Sequence, residues 1–489
     1  MPGALGRAVT TQALERSAVR NAVTSVDLRA RYGLFIAGEW VAPESGAVAA
    51  SVNPATETPL AEVSRAGPLD VDRAVRAARR AYDKYWRKLR GADRAKYVYR
   101  IAQAVTERSR DLATCESLDS GKPLAQTRDG DVPAAAADFF YHAGWADKLD
   151  WAVAQGQRAR PLGVVGAICS WTSPLLEAVQ KLAPALACGN TVVIKPDEHT
   201  PLSTLLLAAI AVEAGLPPGV VNVVTGSANA AEALAEHPGV DRLAFSGPTD
   251  VGKALRRAAA GTAKRITLEL GGKPPIIVFE DAPLDRALDA IVRGAFRSRG
   301  PGAGGGSRLL VHESLVAQVI ERLRVHVERL RVGDPLDEET DIGPLASRAA
   351  RDRFVDYVRA GVEEGAVLAA HGTTAPEQAY FVAPALFGGV EASYRIARDE
   401  VFGPVLCTSA FRTTEEAIER ANALPEGPWA SLWTASGALA LRAASQLSAG
   451  TVWCNGAGAI DPSAPRGGFG TSGLGRAGGL AGVREYVQT

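Results

Sequence analysis

Glu269 closes the apolar run of "RITLELGGK", where a strand pattern ends in a carboxylate and two glycines. A carboxylate in that place is either a solvated strand end or a group able to take a proton from a reacting molecule. "TVVIKPDEHTPL" ends another apolar run with Lys195 and Glu198, a cation and an anion at the head of a turn. "RSRGPGAGGGSRLLV", Arg297 to Val311, holds a single alanine, Ala303, among glycines and has no acid, thiol or imidazole. Glycine-rich backbone can cradle an anion, but no Gly-Lys-Ser/Thr follows it, so a phosphate loop is not indicated. Nucleophiles must be sought among five scattered cysteines, Cys115, Cys169, Cys188, Cys407 and Cys454, which form no CxxC pair. The six histidines show neither HxxxH nor HExxH spacing, so no metal site is expected. Sparse, odd-numbered cysteine usage fits a reducing compartment and a cytoplasmic location.

The elements that must position these residues follow from periodicity. Apolar strands at "PLGVVGAI", "TVVIKP", "GVVNVVTG", "DRLAFSG" and "RITLELGG" alternate with helical stretches. That alternation predicts an α/β fold, a doubly wound, Rossmann-like parallel sheet with helices on both faces. Ligands of such sheets lie beyond the carboxyl ends of the strands. Chemistry is therefore expected in the loops after Ile168, Pro196, Gly226 and Gly247. A second α/β series runs through "PPIIVFEDA", a helix near Ala287–Phe296, "SRLLVHE", a helix from Ser314 to about Val332, "GPVLCTSAF" and "AGTVWCN". With 489 residues, the chain can hold two or three domains. Its 54 basic and 54 acidic residues balance, so net charge implies neither nucleic acid nor a membrane surface as partner. No apolar run has membrane-spanning length. The first thirty residues are arginine-rich but lack an apolar signal core, and read as an N-terminal arm.

"KLAPALACGNTVVIKPDEHTPL", "GLPPGVVNVVTG", "LAFSGPTDVGKAL", "ITLELGGKPPIIVFEDAPLDRAL", "DEVFGPVL", "AGTVWCN" and "GGFGTSGLGR" together resemble the aldehyde dehydrogenase superfamily, in order and spacing, from about Leu34 to the end. The resemblance implies NAD(P)-dependent aldehyde oxidation. A cysteine attacks the carbonyl, hydride passes to nicotinamide, and a glutamate-activated water releases the acid. It places Glu269 at the general-base position. Lys195 and Glu198 fall where the adenosine ribose is held, and a carboxylate there favours NAD over NADP. Glu400 and Phe402 match the nicotinamide-side pair, and Trp171, Gly226 and Gly247 also fall on the cofactor side.

The implied division is an N-terminal arm over 1–33, a dinucleotide-binding domain over 34–140 and 161–270, and a catalytic-type domain over 271–472. Segments 141–160 and 473–489 would form a small β oligomerisation element.

Departures cluster at the chemistry. "GAFRSRGPGAGGGSR" matches the nucleophile segment without a gap and puts Ala303, thirty-four residues after Glu269, at the nucleophile position. Thr172 of "CSWTSP" takes the place of the oxyanion asparagine, and Pro248 that of a phosphate-side serine. Glu232 brings negative charge into a turn usually rich in glycine, and Arg466 stands where an aromatic residue often lines the substrate tunnel. Cys169, three residues before Thr172, and Cys454, beside Asn455 on a late strand, are the cysteines that the family fold would bring toward the site. One branch of the superfamily pairs a cysteine-less module with an active one, and "RGPG" resembles it. The expectation is a pseudoenzyme subunit, a homo-oligomer or a hetero-oligomer with an active relative. A weak oxidoreductase using Glu269-activated water and an NAD or metabolite sensor are the alternatives.

Overall fold

A computed structural model describes residues 26–153, 155–297, 307–372, 375–458 and 460–489. Ala303 and the N-terminal arm up to residue 25 lie outside the described residues.

The larger sheet has eight strands in the order Gly473–Leu474, Arg265–Leu270, Arg242–Gly247, Val164–Ile168, Thr191–Lys195, Val221–Val223, Leu34–Ile36, Glu39–Val41. Its five middle strands, from Arg265–Leu270 to Val221–Val223, are mutually parallel, as the alternating pattern predicts. Both outer ends are antiparallel, a feature the strand–helix alternation does not carry. Strands Val164–Ile168 and Thr191–Lys195 are buried at every residue, consistent with helices on both faces. From Val164–Ile168 the chain builds outward in one direction and then returns to its other side with Arg242–Gly247. The loops leaving these two neighbours diverge, and the sheet opens a crevice between them.

Helix Pro174–Ala187 starts with proline at its first position and packs an almost wholly buried surface against the sheet. Lys181, 2 % exposed, is carried on its sheet-facing side. Seven further strands, ordered Val367–His371, Ala385–Gly388, Val405–Phe411, Arg308–His312, Pro275–Val278, Ala430–Trp433, Val452–Cys454, form the second sheet. The expected long helix after Ser314 is Val316–Arg329, entered through a 3-10 turn at Glu313–Leu315. A three-stranded sheet of Arg31–Tyr32, Pro59–Ser64 and Val48–Val52 precedes the first long helix. Its strands are too short and too mixed in polarity for periodicity to reveal.

In the segments assigned to oligomerisation, Arg160–Pro161 pairs antiparallel with Val487–Gln488 of the same chain. Leu149–Val153 is a π-helical turn, and Gly473–Leu474 joins the large sheet.

Candidate active site

Parallel register sets Ser246 beside Glu269 and Ile168 beside Lys195, so the strands end together and deliver their loops to one rim. Above the crevice lies a cavity of about 270 Å³. Trp171, Thr172, Gly247, Pro248, Glu269, Glu400, Phe402 and Arg466 all line it, so residues from five separate segments of the chain meet in one place. Lys195, Glu198 and Gly226 lie outside its walls, one to two strands along the same rim.

Glu269 is held by three groups. The Ser246 hydroxyl donates to its Oε2 at 3.1 Å, and Lys181 Nζ and Arg466 Nε lie 3.9 and 3.8 Å from its two oxygens. Lys181 in turn donates to Ser246 Oγ at 2.7 Å. Burial works against the lysine's charge, but Cys169, Glu269, Glu177 and Tyr486 outweigh it and raise its pKa.

Thr172 does not offer a free oxyanion donor. Its hydroxyl donates to Glu177 Oε1 at 2.7 Å, and the same carboxylate accepts the Ser170 N–H at 2.8 Å and the Ser170 hydroxyl at 2.7 Å. Glu177 and Lys181 are absent from the sequence-derived site. Their signal is two charged residues four apart in the otherwise apolar "LLEAVQKLAPALA", whose meaning depends on which face meets the sheet.

Neither candidate replacement thiol reaches the cavity. Cys169 is buried, and burial pushes its thiol up to about 12, so it is protonated at neutral pH. Cys454 is exposed, and strand alternation turns Trp453 into the cavity wall and Cys454 out of it. Among the described residues no cysteine lines the cavity.

On the cofactor side, Phe402 and Trp171 meet edge to face with centroids 5.4 Å apart. Glu400 accepts the Gly272 N–H, and its carboxylate packs directly over Gly271, where a Cβ would sit 1.9 Å from it. Lys195 is buried, which lowers its pKa, and among the described residues its ammonium donates no hydrogen bond. A buried ammonium with unspent donors at the rim fits the hydroxyls of a dinucleotide's ribose. Glu198 carries a 2.9 Å ion pair to Arg65. Pro248 caps helix Thr249–Ala258, leaving the first-turn N–H groups free but supplying neither N–H nor hydroxyl itself.

Burial raises Glu400 to about 7 and, in helix Ser109–Ser120, Asp119 to about 7. Their ordinary values are 4.5 and 3.8, so between these and 7 the folded chain binds more protons than the unfolded one. Stability is therefore highest on the acid side of that window and falls as pH rises through 7, by roughly 1 kcal/mol per unit for each group. Thermal melts should show a lower Tm at pH 8 than at pH 6, and Asp119→Asn with Glu400→Gln should flatten that slope. An unchanged slope in the double variant would contradict the assignment.

The model of the aldehyde dehydrogenase family matches residues 40–489. Retinal dehydrogenase 2 of Homo sapiens is 41% identical over 466 residues, covering 93% of this chain and 90% of that protein. The NAD+ complex of an aldehyde dehydrogenase from Bacillus cereus superposes with a TM-score of 0.91 at 37% identity, covering 95% of this chain and 98% of that one. An NAD-dependent aldehyde dehydrogenase from Sinorhizobium meliloti gives 0.89 at 38% identity, with 94% of both chains covered. The family match over residues 40–489, together with these identities and superpositions, shows that the chain belongs to the aldehyde dehydrogenase family.

Proposed function

We propose that this chain is a pseudoenzyme of its family, unable to oxidise aldehydes alone and acting as a subunit with itself or with a cysteine-bearing relative. The observation that carries this reading is a segment, residues 297–311, that holds no thiol and that the resemblance aligns with the nucleophile segment, with Ala303 in the nucleophile's place. A methyl group cannot form the thiohemiacetal on which the two-step reaction depends. Losing a covalent nucleophile costs about 10⁴–10⁶ in rate. The buried, protonated Cys169 and the outward Cys454 support the reading, because neither offers a substitute thiolate.

Purified protein given aldehyde and NAD is expected to form no NADH. Trp151, 80% exposed, stands in the 141–160 segment that the resemblance assigns to assembly. Co-expression with a cysteine-bearing family member should yield mixed oligomers by native mass spectrometry. A chain found only as monomer would contradict the subunit role.

The cofactor reading is NAD in preference to NADP, through Glu198. The Arg65 partner sharpens it into a test, since removing the carboxylate's charge frees a guanidinium for a 2′-phosphate. Glu198→Gln should shift the NADP-to-NAD affinity ratio toward NADP by about tenfold in calorimetric titrations. No shift would place the cofactor away from Glu198.

A further inference from the structure

We propose that the cavity binds a small organic cation, an alkylammonium, between its aromatic walls and the carboxylates of Glu177 and Asp461. Occupancy by such a cation does not depend on whether the chain turns over aldehydes.

Aromatic rings make up much of the cavity wall. Trp171 meets Phe402 and Trp429 meets Trp453, each pair edge to face with centroids 5.4 Å apart, and Leu176 and Ile460 add aliphatic surface. The face of an aromatic ring carries negative potential and attracts a cation within about 6 Å of its centroid. A neutral apolar body gains from the same walls through burial alone.

Charge in the lining is lopsided. Four carboxylates, those of Glu177, Glu269, Glu400 and Asp461, stand against the single guanidinium of Arg466. That guanidinium is spent, because its Nε faces Glu269 at 3.8 Å and its Nη1 is closed off beside Gly478. Among the described residues, Glu269 is the one lining carboxylate in an ion pair, with Lys181 at 3.9 Å as its second cation. The hydrogen-bond partners of Glu177 and Asp461 are all neutral. Glu177 accepts the Ser170 and Thr172 hydroxyls on Oε1 and the Ser170 N–H on Oε2. Asp461 accepts the Ser463 N–H at 2.8 Å and the Ser463 hydroxyl at 2.7 Å, both on Oδ1. These bonds hold its pKa below the ordinary value, and its Oδ2 accepts nothing among the described residues.

On an open surface such carboxylates would gather only diffuse counterions. Here the cavity wall replaces part of the water that would screen them, which strengthens their pull on a charge placed inside. An ammonium offers three N–H donors to the unspent carboxylate oxygens, and its alkyl body lies against the rings. An anion of the same shape would meet like charge instead.

The test is calorimetric titration of the whole protein at pH 7.5 with hexylammonium, 1-hexanol and hexanoate, which share one chain length and differ in charge. Hexylammonium should bind at least about tenfold tighter than hexanol, and hexanoate more weakly than either. Asp461→Asn keeps an oxygen for the two Ser463 bonds and removes only the charge. It should cut the preference for ammonium over alcohol by about threefold or more, and adding Glu177→Gln should abolish it. Melting temperatures establish that the variants are folded. Absence of hexylammonium binding, equal affinity for ammonium and alcohol, tighter binding of hexanoate, or undiminished preference in folded Asp461→Asn would each overturn the proposal.

Discussion

Replacing Ala303 by cysteine should create aldehyde-dependent NADH formation at least about 10⁴-fold above the native background, the low end of what a covalent nucleophile contributes. The general-base position, the aromatic pair and the Gly271–Glu400 contact are already assembled around the cavity. The variant should remain below its relatives, because the Thr172 hydroxyl is committed to Glu177 and supplies no oxyanion donor. Adding Thr172→Asn should gain a further factor of about 10² in kcat, the usual worth of one such donor. The kcat values of the native, single and double variants with one aldehyde series check this. A folded Ala303→Cys protein that stays silent would mean that the losses at Pro248 or Glu232 silence the cofactor side as well.

The second large effect concerns stability. Gly450→Ala should destabilise the protein by at least about 3 kcal/mol, at the heavy end of single substitutions. A Cβ there would lie 1.3 Å from the Gly467 carbonyl oxygen and 2.5 Å from its carbon, so backbone rather than a side-chain tip must move. The displaced segment carries Arg466, and Glu426–Gly427 pairs with Phe469–Gly470 alongside it. The cavity wall and the fold should therefore be lost together. Gly437 is the control, because a Cβ there meets nothing within 4 Å and the residue opens helix Gly437–Gln446. Gly437→Ala should leave stability unchanged or slightly raised. Urea melts of the two variants separate these outcomes, and a Gly450→Ala protein as stable as native would contradict the close approach.

The middle of the large sheet was legible in the sequence because each strand is a short apolar run between helices, and such runs admit little but a buried parallel arrangement. Its antiparallel edges were not, since Gly473–Leu474 is two residues long and carries no periodicity. At the site, Glu269, Glu400, Phe402 and Arg466 were placed by motif, and the structure brings all four to one cavity. Glu177 and Lys181 were missed because their roles arise only when the Pro174–Ala187 helix turns one face to Ser246 and Glu269. Thr172 shows the converse limit, for its position was legible but the direction of its hydroxyl was not.

The most direct measurement is NADH formation by the purified native chain across aliphatic, aromatic and charged aldehydes, before and after alkylation of its thiols. The account predicts no rate above the aldehyde-free control in either state. A steady aldehyde-dependent rate would contradict it. Survival of that rate after alkylation would assign the chemistry to Glu269 and water, and its loss would assign it to one of the five cysteines.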